Sequence, residues 1–295
     1  MRGVVTGAVT GSPATLDATW LAALRVRANQ PPLQPRLPLI AGAGVVGSIS
    51  CDIVHQIGYL PTSYIDTLLL KQECIKFKPD SGDESGSAWQ IQGDVTTTLH
   101  QLALALRDAN VGHVARYWRN ELLAVNDAAG RRLGQVERGA VRTLGIATQA
   151  VHLVGWSVDG RIWVQQRALD KANDPGLWDT LMGGMVSAQD TVHTALARET
   201  WEEAGLHLEA LGAVKHGGRF TVCRPTGEAD DTGIAYMVEV TDWFECTVPD
   251  GTAPVNQDGE VAQFLLLEPD DLVARLHRNE FTLEAALVLV AALHA

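Results

Sequence analysis

Residues 183–206 constrain the fold more than any other stretch: Gly-Gly-Met-Val-Ser-Ala-Gln-Asp-Thr-Val-His-Thr-Ala-Leu-Ala-Arg-Glu-Thr-Trp-Glu-Glu-Ala-Gly-Leu. Residues 191–204 hold no Gly or Pro, so a helix can run through them. Asp190 is placed to cap its start and Gly205 to end it in a left-handed conformation. At 3.6 residues per turn, Glu199, Glu202 and Glu203 fall within about a 100° arc. Like charges at that spacing repel, each pair costing roughly 0.2–0.5 kcal/mol in an isolated helix. Glu199 continues the apolar stripe of Val192, Ala195 and Leu196, so it is expected to point into the protein body. Glu202 and Glu203 suit a solvated face. Partly buried, clustered carboxylates call for a cation, and a hard divalent ion with oxygen ligands, Mg2+ or Mn2+, fits best. The Gly-Gly pair ahead of the helix lets the backbone approach a ligand closely.

The charge distribution points the same way. Residues 1–147 carry 14 Lys/Arg against 12 Asp/Glu, and residues 148–295 carry 9 against 23. The whole acidic surplus therefore lies in the second half. A basic footprint for nucleic acid is absent, and the surplus suits a solvated acidic surface or a site that concentrates divalent cations. The strongly apolar stretches, residues 264–267 and 285–293, are far shorter than the roughly 18 residues of a membrane-spanning helix, so no membrane partner is expected. With 46% hydrophobic and 20% charged residues, a disordered chain is excluded. Cys51, Cys74, Cys223 and Cys246 are widely spaced without a C-x-x-C pair, which suits reduced thiols in a cytoplasmic protein.

Two other patterns carry less. Gly42-Ala43-Gly44-Val45-Val46-Gly47 matches G-x-G-x-x-G, yet Pro38 interrupts the preceding apolar run and no βαβ alternation follows. It reads as a glycine-containing strand and turn. The nine histidines form no H-E-x-x-H, and there is no G-x-S-x-G.

Along the chain, residues 16–29, 62–73 and 94–110 read as helices. Asp94 is the N-cap of the last, and Leu99, Leu102, Ala103 and Leu106 are its buried stripe. Residues 78–88 read as a polar loop. Residues 122–126 and 133–136 read as strands around a turn. Residues 151–158 and 161–167 read as a hairpin on Asp159-Gly160. A boundary at 147/148, with no flexible linker, divides an accessory α+β domain (1–147) from a second domain (148–295). The two are expected to pack on each other.

Gly184-x5-Asp190-x7-Arg198-Glu199-Thr200-x-Glu202-Glu203-x-Gly205-Leu206 resembles the Nudix box, G-x5-E-x7-R-E-U-x-E-E-x-G-U. Asp190 replaces its first Glu, and Thr200 stands where an aliphatic residue is usual. The resemblance implies an α+β fold, an α-β-α sandwich with a central mixed β-sheet, preceded here by the smaller α+β domain. It also implies roles. Glu202 and Glu203 are metal ligands, with the Gly183 carbonyl as a further one. Glu199 is a ligand or the base that activates water, and Arg198 orients the carboxylates. Asp190 keeps a salt bridge to Arg198 rather than binding metal. One more downstream acid is implied, for which Glu260 is favoured over Asp258.

The flanking residues resemble more narrowly the Nudix group related to the C-terminal part of fungal thiamine pyrophosphokinase, which includes plant chloroplast members. They are Val151-His152-Leu153-Val154-Gly155, Trp163 to Arg167, Lys171, Pro175-Gly176 and Asp179, with Tyr117 to Glu121 in the first half. That likeness implies hydrolysis of thiamine diphosphate, or its oxidised analogues, to the monophosphate. Arg167 and Lys171 could then hold diphosphate oxygens, Trp178 or Trp118 could stack on a ring, and Arg119 or Arg138 could reach across from the first half. For Lys171, Trp178 and His152 an ordinary structural role stays open. So do ADP-ribose or coenzyme A as substrate, a non-catalytic binding module on the same fold, and a homodimer.

Overall fold

The structure is a computed structural model that describes residues 15–50, 53, 70–75, 86–226 and 233–294. Helix α1 (Ala18–Ala28) starts where Asp17 accepts a hydrogen bond from the Trp20 N–H at 2.7 Å. Its buried contacts are Leu24 and Ala28, one turn apart. Val26 is exposed. Strands β1 (Arg36–Ala41) and β2 (Gly44–Ser50) form a hairpin turning at Gly42, whose φ of +60° suits glycine. The G-x-G-x-x-G pattern is thus a strand and turn.

Strands β3 (Leu70–Ile75) and β4 (Gly86–Ile91) complete a four-stranded sheet in the order β2-β1-β4-β3, with β1 and β4 parallel. Two sequence expectations fail here. Residues 70–73 are strand rather than the end of a helix, and residues 86–88 are strand rather than loop. Each segment is the other's antiparallel partner, Gln72 opposite Trp89, and that pairing overrides local propensity. The rest of the expected helix (62–69) and loop (78–85) lies outside the described residues.

Helix α2 (Val95–Asp108) is capped by Asp94, which accepts from the Thr97 N–H at 2.8 Å. Leu99, Leu102, Ala103 and Leu106 are fully buried, as the spacing predicts. They pack against Leu39 and Ile49 of the first sheet and against Leu123 and Val136. The last two belong to the hairpin of β5 (Leu122–Asn126) and β6 (Arg132–Glu137), which follows the short helix α3 (Val114–Tyr117).

The second half is built on a seven-stranded sheet. Its main path is β11 (Gly212–Pro225), β12 (Tyr236–Val248), β7 (Thr148–Ser157), β8 (Ile162–Arg167) and β13 (Val261–Leu267). The short β9 (Trp178–Asp179) pairs with β8, and β10 (Met182–Met185) pairs with β7. β7 and β12 run parallel and the other pairs antiparallel, so the sheet is mixed. Alternation along β7 decides what covers each face. Val151 and Leu153 pack under helix α4 (Val192–Ala204) with Ala195 and Leu196. Val154 faces the other way, toward α1, α5 (Pro269–His277) and α6 (Leu283–Leu293). The result is a helix–sheet–helix sandwich.

The two halves meet directly. Ala188 N–H donates to Leu122 O at 2.7 Å, and Tyr236 N–H donates to Arg142 O at 2.9 Å. Helix α1 packs on the core of the second half through Leu24 and Ala28. Among the described residues no helix is long and apolar enough to cross a membrane. Cys223 and Cys246 are free thiols.

Gly205 ends α4 with φ +64°, and a Cβ there would sit 2.6 Å from Val255 O. Left-handed backbone costs an L-residue roughly 1–2 kcal/mol before any clash. Gly205→Ala should therefore lower the thermal midpoint by roughly 5 °C or more, measured by calorimetry. An unchanged midpoint would show that this helix end adapts freely.

Candidate active site

The cap of α4 is Thr191, whose hydroxyl accepts from the Thr194 N–H while the Thr194 hydroxyl accepts from the Thr191 N–H. Asp190 is not the cap. Lying one residue earlier, its carboxylate instead accepts two hydrogen bonds from Arg198, at 2.8 and 3.1 Å, and one from Ser187 at 3.0 Å. Burial works to raise the Asp190 pKa, and the Arg198 hydrogen bonds outweigh it, leaving the group below its ordinary value. The shorter carboxylate thus still reaches its arginine. Arg198 also contacts Glu199 at 2.9 Å and Glu202 at 2.8 Å. Burial disfavours its charge, yet Glu199 and Asp190 more than compensate and raise its pKa. One guanidinium therefore orients three carboxylates.

Glu203 departs from the solvated face expected of it. It is 3% exposed, the most buried of the three. Its Oε2 accepts from the Gly183 N–H at 3.0 Å and from Gln165 Nε2 at 2.7 Å. The helix arc was legible, but what lies opposite it is set by β8 and β10 folding over that arc. Burial pushes Glu203 up to about 8 despite both hydrogen bonds. Glu199 points inward as expected, against Gly184, and burial pushes it up to about 7 against the pull of Arg198. Glu202 is exposed. Gln165, fully buried on β8, is a site residue that sequence reasoning missed, since nothing local marks a strand glutamine as facing a carboxylate.

Across the cleft, Glu260 stands just before β13 and pairs with Lys171. Burial acts to raise Glu260, but the hydrogen bond and charge of Lys171 prevail and lower it. Asp258 accepts from the Glu260 N–H at 2.8 Å, so it shapes the turn. Arg167 donates to Asn173 O at 3.1 Å and approaches Asp179 at 3.7 Å. Glu199, Glu202, Glu203, Gly183, Arg198, Glu260, Arg167 and Lys171 all line one open cleft. From the first half, Tyr117, Arg119 and Arg138 line it too. Arg119 is exposed, its guanidinium donating to Arg116 O and Trp118 O, and Arg138 pairs with Glu121 at 2.6 Å.

Trp178 is not a ring-stacking wall. It is 7% exposed, packs in the core beneath Arg275, and is not part of the cleft lining. Trp118 also lies off the lining, under Arg107. Their indoles are used up by packing. His152 is a buried residue at the cleft floor, its Nδ1 3.3 Å from Asp179 and 3.1 Å from Thr180 Oγ1. Burial disfavours its charge, but the Asp179 hydrogen bond and charge win, raising its pKa.

Oxygen donors, buried carboxylates pushed upward and a single arginine shared among acids fit a hard divalent cation by charge and donor type. Among the described residues no three acidic, His or Cys side chains close on one point. Arg198 holds Glu199 and Glu202, while Gly183 and Gln165 hold Glu203. These hydrogen bonds are what an ion would have to compete with or complement.

Residues 148–287 match the family model of the NUDIX domain. An uncharacterized Nudix hydrolase of Pseudomonas aeruginosa is 35% identical over 105 residues, covering 36% of this chain and 60% of that protein. Nudix hydrolase 20, chloroplastic, of Arabidopsis thaliana is 27% identical, covering 55% of this chain and 43% of that protein. An uncharacterized protein of Saccharomyces cerevisiae is 28% identical, covering 59% and 54%. The chain thus spans about half the length of the curated relatives it matches. The yeast and Arabidopsis matches cover more than half of this chain, whereas the domain is shorter than half and only eight residues follow it. Both likenesses therefore run into the first half.

Proposed function

We propose that this chain is a divalent-metal-dependent hydrolase of a diphosphate linkage in an organic diphosphate of nucleoside-diphosphate type, and more finely of thiamine diphosphate or its oxidised analogues. The carrying observation is that α4 presents Glu199, Glu202 and Glu203 with Arg198 to a cleft that Lys171, Arg167 and Glu260 also line. Glu202, Glu203 and Glu199, with the Gly183 carbonyl, would hold Mg2+ or Mn2+. A bound divalent ion neutralises phosphate oxygens and acidifies water. Glu199, buried beside Gly184 with its pKa near neutrality, is suited to take the proton of the attacking water. Arg198 fixes the carboxylates, and Arg167 and Lys171 supply charge to diphosphate oxygens. Glu260 keeps Lys171 in place and adds negative charge opposite Glu199.

The thiamine reading is supported by the flanking residues of the box, Val151 to Gly155, Trp163 to Arg167, Lys171, Pro175-Gly176 and Asp179. The test is incubation with Mg2+ or Mn2+ and thiamine diphosphate, an oxidised analogue, ADP-ribose and coenzyme A, with products read by mass spectrometry. Monophosphate forming fastest from the thiamine compounds is expected. Fast cleavage of ADP-ribose alone would leave the chemistry standing and overturn the finer substrate. Chelator-insensitive turnover, or none with any compound, would overturn the hydrolase reading.

A further inference from the structure

Among the first-half residues that line the cleft, Arg138 stands on a built support. It opens the short helical turn Arg138–Ala140 that follows β6. The carboxylate of Glu137, 2% exposed, accepts from the Gly139 N–H at 3.2 Å and from the Arg119 N–H at 2.7 Å. The Arg138 N–H donates to Glu121 O at 2.8 Å. A Cβ on Gly139 would lie 2.7 Å from Tyr117 O, so the turn is seated directly on the end of α3. The side chain meets Glu121 through Nη1 alone, at 2.6 Å. Among the described residues its Nε and Nη2 donate to no protein group. Arg119, by contrast, spends its guanidinium on Arg116 O and Trp118 O, within its own loop.

The charge of Arg138 reaches the other half of the chain. Burial acts to raise Glu260, but Lys171, then Arg138, then Arg167 lower it. Three cations thus gather around one carboxylate, and one of them comes from the first half. The second half carries 9 Lys/Arg against 23 Asp/Glu. A polyanion entering it meets an opposing field, so a cation lent by the first half counts for more there.

We infer that Arg138 is a substrate-binding residue supplied by the first half, its Nε–Nη2 edge taking diphosphate oxygens together with Lys171 and Arg167, so that the diphosphate is held between the two halves. This rests on the reading of the same cleft as a diphosphate hydrolase site. A guanidinium edge offers two parallel donors to a phosphate, which an ammonium does not. The support under Arg138 is in place before substrate arrives, so little ordering cost falls on binding. Glu121 holds the guanidinium by its remaining nitrogen and leaves that edge open.

The test uses the full chain and separates the cation from its ion pair. Arg138→Ala removes both, whereas Glu121→Gln removes the pair and keeps the guanidinium. Arg138→Ala should raise the KM for thiamine diphosphate about tenfold or more, with kcat changed less than threefold, and Arg138→Lys should restore only part of the loss. Glu121→Gln should leave KM unchanged or lower it. Calorimetry with inorganic pyrophosphate and Mg2+ should show the same order, with binding weakened about tenfold by Arg138→Ala and not by Glu121→Gln. Thermal unfolding is the folding control. A half-exposed ion pair contributes little, so both variants should lose a similar, small part of the midpoint. Turnover with a KM unmoved by Arg138→Ala, or raised as much by Glu121→Gln, would overturn the assignment while the hydrolase reading stood. Pyrophosphate binding that depends on Arg138 in a protein that hydrolyses no diphosphate would keep the residue and overturn the function instead. Neither turnover nor pyrophosphate binding would overturn both.

Discussion

Glu203→Gln is expected to reduce diphosphate hydrolysis by at least about a hundredfold while the protein stays folded. The side chain is buried, and two donors, the Gly183 N–H and Gln165 Nε2, converge on its Oε2. A glutamine oxygen can accept both, so the local packing survives. What is lost is the charge that an ion in the cleft would need. The two effects separate in a pH series on chelator-treated protein. Glu203 lies near 8 in the fold against an ordinary value of 4.5. A carboxyl raised by folding contributes its stability in full below its unfolded value and loses it as pH climbs through the folded one. The wild-type thermal midpoint should therefore fall between about pH 5 and pH 8. Glu203→Gln should show a shallower slope, the remainder belonging to Glu199, near 7. Added Mg2+ should recover the wild-type midpoint at pH 8 and do far less for the variant. Retention of the wild-type rate by Glu203→Gln would refute its place in the site, and an identical pH slope would refute its burial as an unpaired acid.

This case also marks how far a one-dimensional reading reaches. The arc shared by Glu199, Glu202 and Glu203 follows from helix geometry alone, whereas the Arg198 clamp and its bond to Asp190 were legible only through the resemblance of residues 184–206 to the Nudix box. The hairpin at Gly42, the cap at Asp94 and the stripe of α2 were legible for the same reason, since each is a local pattern with a local cause. Glu203 shows where that stops. It shares the arc of Glu199, but its burial is decided by Gln165 and Gly183, which reach it from two strands. β3 and β4 failed similarly, because each is a strand on account of the other. Trp178 was left open because an aromatic beside a box can face ligand or core, and only the closure of β9 onto the start of α6 decides for the core.

Gly184→Ala should abolish most activity with one methyl group, and it tests the carboxylate rather than the metal. Gly184 lies on β10 with its missing side chain directed at Glu199. A Cβ there would overlap the Glu199 Cγ and Cδ and lie 2.6 Å from Oε2. The strand cannot yield easily, since Met182 to Met185 are paired in register with Leu153 to Ala150 of β7. The far end of a glutamate can. The clash is therefore relieved by swinging the Glu199 carboxylate away from the cleft floor, and the backbone fold persists. Displacing a reacting group by about 1 Å can cost on the order of a hundredfold. Gly184→Ala is accordingly expected to lower kcat by roughly that factor, with KM changed far less, because Arg167 and Lys171 are untouched. The shift of Glu199 out of its buried place should also bring its pKa down from near 7, moving the acidic limb of the kcat–pH profile to lower pH. A kcat within threefold of wild type would mean that Glu199 does not act from the position the fold gives it. A loss shared equally by kcat and KM would mean that the strand, and not the carboxylate, had moved.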